Sequence, residues 1–234
     1  MTGLGDGRSS LGPVARGLVK ACMAIFPPGI VVAVSLAYAF GGTQQGPGEY
    51  NLVNNFISDL GSARYTPAPF VLDATSMGTS VLLVPVFFST HAVATGLVRS
   101  SGDENARSSA LRACWAGLAG LLVGCVGLFG IGLFSEDRDV AGLHYAFSVV
   151  VFVGFAVGSC AYGLATLLVP TYLPRHLGVV MLLAPPASVV AFGVNSFLFD
   201  AAIPEPLLEW LMLLCIFWWI LPGGYYVLQH QAGD

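Results

Sequence analysis

Asp59, Asp73 and His144 are the residues of this chain whose types suit acid–base or metal chemistry, and Ser58 stands beside the first of them. Carboxylates and imidazole bind Zn²⁺, which acidifies a bound water, while Ser with His and Asp is the donor set of nucleophilic catalysis. Asp59 sits in "NLVNNFISDLGSARYTP", residues 51–67, the densest polar segment of a chain in which 9% of residues are charged. Helical spacing puts Asp73, Ser76 and Ser80 on one face, and Ser148 one turn below His144. With Asn55, Asn195 and Asp200 these residues form a candidate polar cluster at one end of the molecule. A zinc site would need Asp59, Asp73 and His144 as its three protein ligands, and nothing like HExxH specifies it. A Ser58/His144/Asp triad is equally unconstrained, because triads are defined by geometry rather than spacing. No cofactor-binding motif is present, and no cofactor is assigned.

The elements that must position these residues are apolar and long. Of 234 residues 56% are hydrophobic, and the mean hydropathy is +0.78. Soluble domains carry about 25% charged residues, so this chain cannot solvate a globular surface of its size. Apolar runs near 18–40, 69–95, 111–134, 142–168, 177–198 and 206–228 are each long enough to span a hydrocarbon core of about 30 Å. The expected fold is all-α: a polytopic integral membrane bundle of six transmembrane helices, multi-pass in the cell membrane. Residues 1–16 read as a flexible Gly/Ser-rich tail, 17–228 as the transmembrane domain and 229–234 as a C-terminal tail. A formal charge of −4 with scattered basic residues excludes a nucleic-acid footprint. The expected partners are membrane lipids, with protein partners or a homo-oligomer left open.

Lys and Arg set the expected orientation. Arg8, Arg16, Lys20, Arg99, Arg107, Arg112 and Arg175 fall on one side, and only Arg64 and Arg138 on the other. Both termini are therefore expected in the cytoplasm, with the polar cluster outside. The first span, ending in Ala37-Tyr38-Ala39, also fits a cleavable signal peptide, but its apolar run exceeds the usual length. Five cysteines without a CxxC pair read as small buried hydrophobes. Gly117, Gly120, Gly124, Gly127 and Gly130 would let the third helix approach a neighbour closely. Trp210 and Tyr225–Tyr226 read as interfacial belts, and His91 as an interfacial residue at the opposite end.

"NNFISDLGSARYTPAPFVLDATSMG", followed later by "GIGLFSEDRDVAGLHYAFSVVVFVGFAVG", resembles the six-span family called domain of unknown function 998. The matching features are the Ile57-Ser58-Asp59-Leu60-Gly61 turn, the acidic Glu136 and the His144 that opens the fourth helix. Asp73 stands where that family often has Asn. More distantly the pattern is similar to the Frag1/DRAM/Sfk1 membrane proteins, which implies lipid remodelling or lipid organisation.

Three function classes follow. The first is a non-catalytic lipid-organising, scaffold or accessory protein, which needs only satisfied hydrogen bonds in the polar cluster. The second is an intramembrane lipid-modifying enzyme, metal-dependent or triad-based. The third is a small-solute transporter, disfavoured because no charged residue lies near a span midpoint and no inverted repeat is visible. The balance leans towards the non-catalytic class.

Overall fold

The computed structural model describes residues 12–198 and 202–230. Among them six helices are long and apolar enough to cross a membrane: α1 Pro13–Phe40, α2 Phe70–Arg99, α3 Glu104–Leu133, α4 Leu143–Leu168, α5 Arg175–Leu198 and α6 Glu205–His230. The chain is a multi-pass membrane protein, and no strand occurs among the described residues.

Helix ends extend the apolar runs where local chemistry supports them. Pro13 opens α1 at a first-turn position, where a missing N–H costs nothing, so residues 13–16 are helical rather than part of a tail. Helix α6 continues through His230, two residues into the expected C-terminal tail. Asp103 caps α3 by accepting from the backbone N–H groups of Asn105 and Ala106, both at 3.0 Å. That cap carries α3 seven residues before the expected start of its apolar run. The helices continue through their internal prolines, Pro27–Pro28, Pro85, Pro185–Pro186 and Pro222.

Each helix packs on its successor, and α1 also meets α6. The most extensive pairing is α3 with α4, and glycines explain it. A Cβ on Gly120 would sit 2.7 Å from the backbone nitrogen of Gly158, and one on Gly127 2.5 Å from the backbone nitrogen of Val151. These helices touch backbone to backbone, a geometry that only a missing side chain allows. The main apolar core joins Leu118, Leu121 and Leu128 of α3 to Val151, Phe155 and Tyr162 of α4, and reaches α1, α2 and α6. A second apolar cluster surrounds Ile30, Ala33, Ala37, Leu60, Leu72 and Trp210 beneath the α1–α2 loop.

Candidate functional site

The α1–α2 loop is a folded lid rather than a slack connection. Gly41 leaves α1 with φ +64°, a left-handed conformation that glycine adopts without strain. Thr43 and Gln44 then donate to the carbonyls of Ala63 and Arg64, both at 3.0 Å, closing the loop on itself. Inside it the buried Tyr50 hydroxyl donates to the Phe56 carbonyl at 2.9 Å. Asn55 exchanges bonds with the Gln45 side chain and donates to Asp59 Oδ2 at 3.0 Å. The same Asp59 oxygen accepts from the Phe56 N–H at 3.0 Å. Residues Ser58–Gly61 form a single 3-10 turn with Asp59, Leu60 and Gly61 buried.

Two other elements bind this lid. From α6, the Trp210 indole N–H donates to the Asn55 carbonyl at 3.0 Å, and Glu209 Oε2 accepts from the Ile57 N–H at 2.6 Å. Trp210 is 6% exposed, so it is an interior clamp and not the interfacial belt residue its position suggested. From the α3–α4 connection, Asp137 accepts from the Ser62 hydroxyl at 2.7 Å and the Ala63 N–H at 2.6 Å. The 3-10 turn Glu136–Arg138 completes the contact. Glu136 meets Asp59 as a hydrogen-bonded carboxyl pair.

The charges of this region follow from burial. Burial raises the Asp59 carboxyl, and hydrogen bonds from Asn55, the Phe56 N–H and Glu136 draw it back towards ionisation. Burial, and then the neighbouring Asp59 charge, push Glu136 up to about 7. The contact between the two carboxyls acts in opposite senses, favouring the protonated form of Glu136 and the charged form of Asp59. Burial also raises the Tyr50 phenol, helped by Asp59, Glu209 and Glu136. At Asp137 partial burial is outweighed by hydrogen bonds from Ser62 and Ala63, and its carboxyl lies below the usual range.

Asp73 is bound rather than free. Arg138 Nη2 donates to its Oδ2 at 2.6 Å and to the Gly132 carbonyl at 2.9 Å. The Asp73 side chain is 8% exposed and that of Arg138 is 55% exposed, so solvent screens one end of the pair. Arg138→Ala, which leaves a buried carboxylate unpaired, is expected to destabilise the bundle by about 1–2 kcal/mol after that screening. Asp73→Asn keeps an acceptor for Arg138 and is expected to cost less than about 1 kcal/mol. Thermal unfolding of the detergent-solubilised variants compares them; a costlier Asp73→Asn would give the carboxylate a role outside this pair.

Two spaces open beneath the lid. An interior cavity of about 80 Å³ lies between α1, α2, α3, α4 and α6, with apolar walls such as Phe26, Leu83, Phe155 and Phe217. A wider groove of about 680 Å³ runs between α4, α5 and α6. Ser58, His144, Ser148, Phe152 and Glu209 line both, so the two spaces meet at these residues. His144 Nδ1 lies 2.7 Å from the Phe134 carbonyl. A carbonyl only accepts, so Nδ1 carries the hydrogen, and in the neutral ring Nε2 presents a lone pair. That Nε2 is buried and has no protein partner. The His144 N–H donates to Asp139 Oδ1 at 2.9 Å, which holds the start of α4 in place.

The expected cluster thus separates into parts. Asn55 and Asp59 belong to the lid's internal bonding, and Asp73 to the pair with Arg138. Ser58 and His144 face the two spaces. Asn195 lies elsewhere: it clamps the α5–α6 turn, exchanging bonds with the Ile203 N–H and carbonyl at 2.9 Å each. Asp200 falls outside the described residues. Among the described residues no three His, Cys, Asp or Glu side chains are grouped to hold a metal ion. His91 is buried rather than interfacial, with Nδ1 2.8 Å from the Tyr162 hydroxyl and its ring 4.5 Å from that of Trp115. Glu209 is the site residue that the sequence-based cluster lacks. Its signal was present, since an acid in the first turns of an apolar span must pair or face an interior space. No family of known proteins, no curated protein and no solved structure matches the chain.

Proposed function

We propose that this multi-pass membrane protein is a non-catalytic lipid-organising or accessory protein that holds one membrane lipid in the groove between α4, α5 and α6. The groove itself carries this reading. Its polar end bears Arg64, Glu136, Asp139 and Glu205, and its length is walled by Val149, Phe152, Val189, Phe192 and Met212. A lipid has the same division between head and chain, and about 680 Å³ lies within the roughly 300–1,000 Å³ of ordinary ligand sites. The lean of Lys and Arg towards the opposite end supports placing this polar end outside the cell membrane. The distant resemblance to Frag1/DRAM/Sfk1 proteins, which are associated with lipid organisation, points the same way.

Lipid extraction from protein purified in mild detergent and washed free of bulk lipid tests the reading. One lipid per chain is expected to remain. Gly193 lines the groove, and a Cβ there meets no atom within 4 Å. Gly193→Trp therefore adds bulk to the groove from a position whose Cβ meets no neighbour, and is expected to lower retained lipid about tenfold, a loss of about 1.4 kcal/mol of binding. Unchanged retention in that variant would show that the groove is not the binding place.

One observation favours a catalytic alternative. His144 Nε2, with its lone pair fixed by the Nδ1 bond and no protein partner, is placed as a general base at the meeting point of the two spaces. Turnover of a labelled phospholipid by the purified protein, lost in His144→Gln, would replace the non-catalytic reading with this one.

A further inference from the structure

The headgroup end of the groove has a charge pattern that narrows the lipid class. Four carboxyl groups line it, Glu136, Asp139, Glu205 and Glu209, against one guanidinium, Arg64. Two of the acids are already engaged: Asp139 Oδ1 by the His144 N–H and Glu209 Oε2 by the Ile57 N–H. Glu136 is engaged by Asp59. Among the described residues Glu205, in the first turn of α6, makes no hydrogen bond or ion pair; the exposed Arg64 guanidinium makes neither, but its charge already acts on Glu136 and Asp137. The groove is thus lined by one exposed cation that two carboxyls already share, by one carboxyl without a bonded partner among the described residues, and by the unpartnered acceptor His144 Nε2.

We propose, building on the lipid-binding reading, that the groove selects a zwitterionic phospholipid with a primary ammonium headgroup: its phosphate at Arg64, its ammonium at Glu205 and His144 Nε2. A phosphate suits the forked donors of a guanidinium. A primary ammonium has three N–H donors, which Glu205 and the imidazole lone pair accept. A quaternary ammonium lacks those donors. A headgroup with net negative charge would bring its surplus charge against the acidic wall, and like-charge juxtaposition is what excludes wrong partners.

Native mass spectrometry of the full chain tests this, after exchange into detergent with an equimolar mixture of phosphatidylethanolamine, phosphatidylcholine and phosphatidylglycerol of matched acyl chains. Phosphatidylethanolamine is expected to be retained about tenfold over phosphatidylglycerol, with phosphatidylcholine between them. Glu205→Lys is expected to abolish or invert that order. Arg64 is exposed, so Arg64→Gln leaves packing untouched and is expected to lower retention of all three phosphate-bearing lipids. Equal retention of the three lipids, a preference for phosphatidylglycerol, or an order unchanged in both variants overturns the headgroup assignment and leaves lipid binding standing. Retention of none of them overturns both.

Discussion

Trp210→Ala is expected to destabilise the protein by about 3–5 kcal/mol, the range for removing a large aromatic from a packed site. For a chain of this length that corresponds to a fall in Tm on the order of 10 °C. Two losses combine. The indole fills space among Ile30, Ala33, Leu60 and Leu72, which holds the lid down on α1 and α2. Its N–H also satisfies the Asn55 carbonyl inside that contact. Trp210→Phe separates the two effects, because it keeps most of the volume and removes only the donor; about 1–2 kcal/mol is expected. Limited proteolysis reads the local consequence. Cleavage within residues 51–67 should rise sharply in Trp210→Ala and modestly in Trp210→Phe. A lid equally protected in all three proteins would mean that α6 does not hold it.

Raising the pH from 5 to 8 is expected to lower stability by on the order of 1 kcal/mol, through the Glu136–Asp59 pair, after solvent screening of the part-exposed Glu136. The sign follows from where the proton is. Glu136 is pushed from the ordinary 4.5 to about 7 in the folded protein. Between those values the folded chain keeps a proton that the unfolded chain has lost. Stability from this group is therefore present on the acid side and declines as pH rises through the window. Asp59, also raised by burial, acts in the same direction. Asp137, held below its ordinary range, loses its contribution only at more acid pH and does not enter this window. Glu136→Gln keeps a neutral donor facing Asp59 and is expected to flatten the profile, with higher stability than the parent at pH 8. A parent profile that is already flat, measured by thermal unfolding in detergent, would mean that the folded protein does not favour the protonated form of Glu136.

Six spans were legible in the sequence because a run of about 20 apolar residues has one physical solution in a bilayer. Their ends were less so. Helices α2 and α3 extend past the apolar runs to Arg99 and from Glu104, where Asp103 capping rather than hydropathy decides the boundary. The glycine stripe of α3 was readable as a close-contact face, and α4 is the helix it contacts. At the polar end, residue type pointed to the right region but not to the right division of labour. Asp59 looked like chemistry and serves the lid, since its neighbours Asn55 and Phe56 take both bonds to one of its oxygens. Trp210 looked interfacial because depth along a helix is legible and rotation about its axis is not. At the same depth Trp218, 70% exposed, and Trp219, buried, differ only in that rotation. Asn195 bonds to a backbone eight residues away, a turn that no spacing rule announces.

The central claim is that a lipid occupies the groove between α4, α5 and α6. A phospholipid carrying a photoactivatable group in its acyl chain, reconstituted with the protein and cross-linked, tests it most directly. Labelling is expected to concentrate on peptides bearing Val149, Val153, Val189 and Phe192, and to fall with unlabelled phospholipid as competitor and in Gly193→Trp. Labelling spread evenly over lipid-facing positions such as Val31, Val126 and Trp218, and insensitive to competitor, would contradict the account.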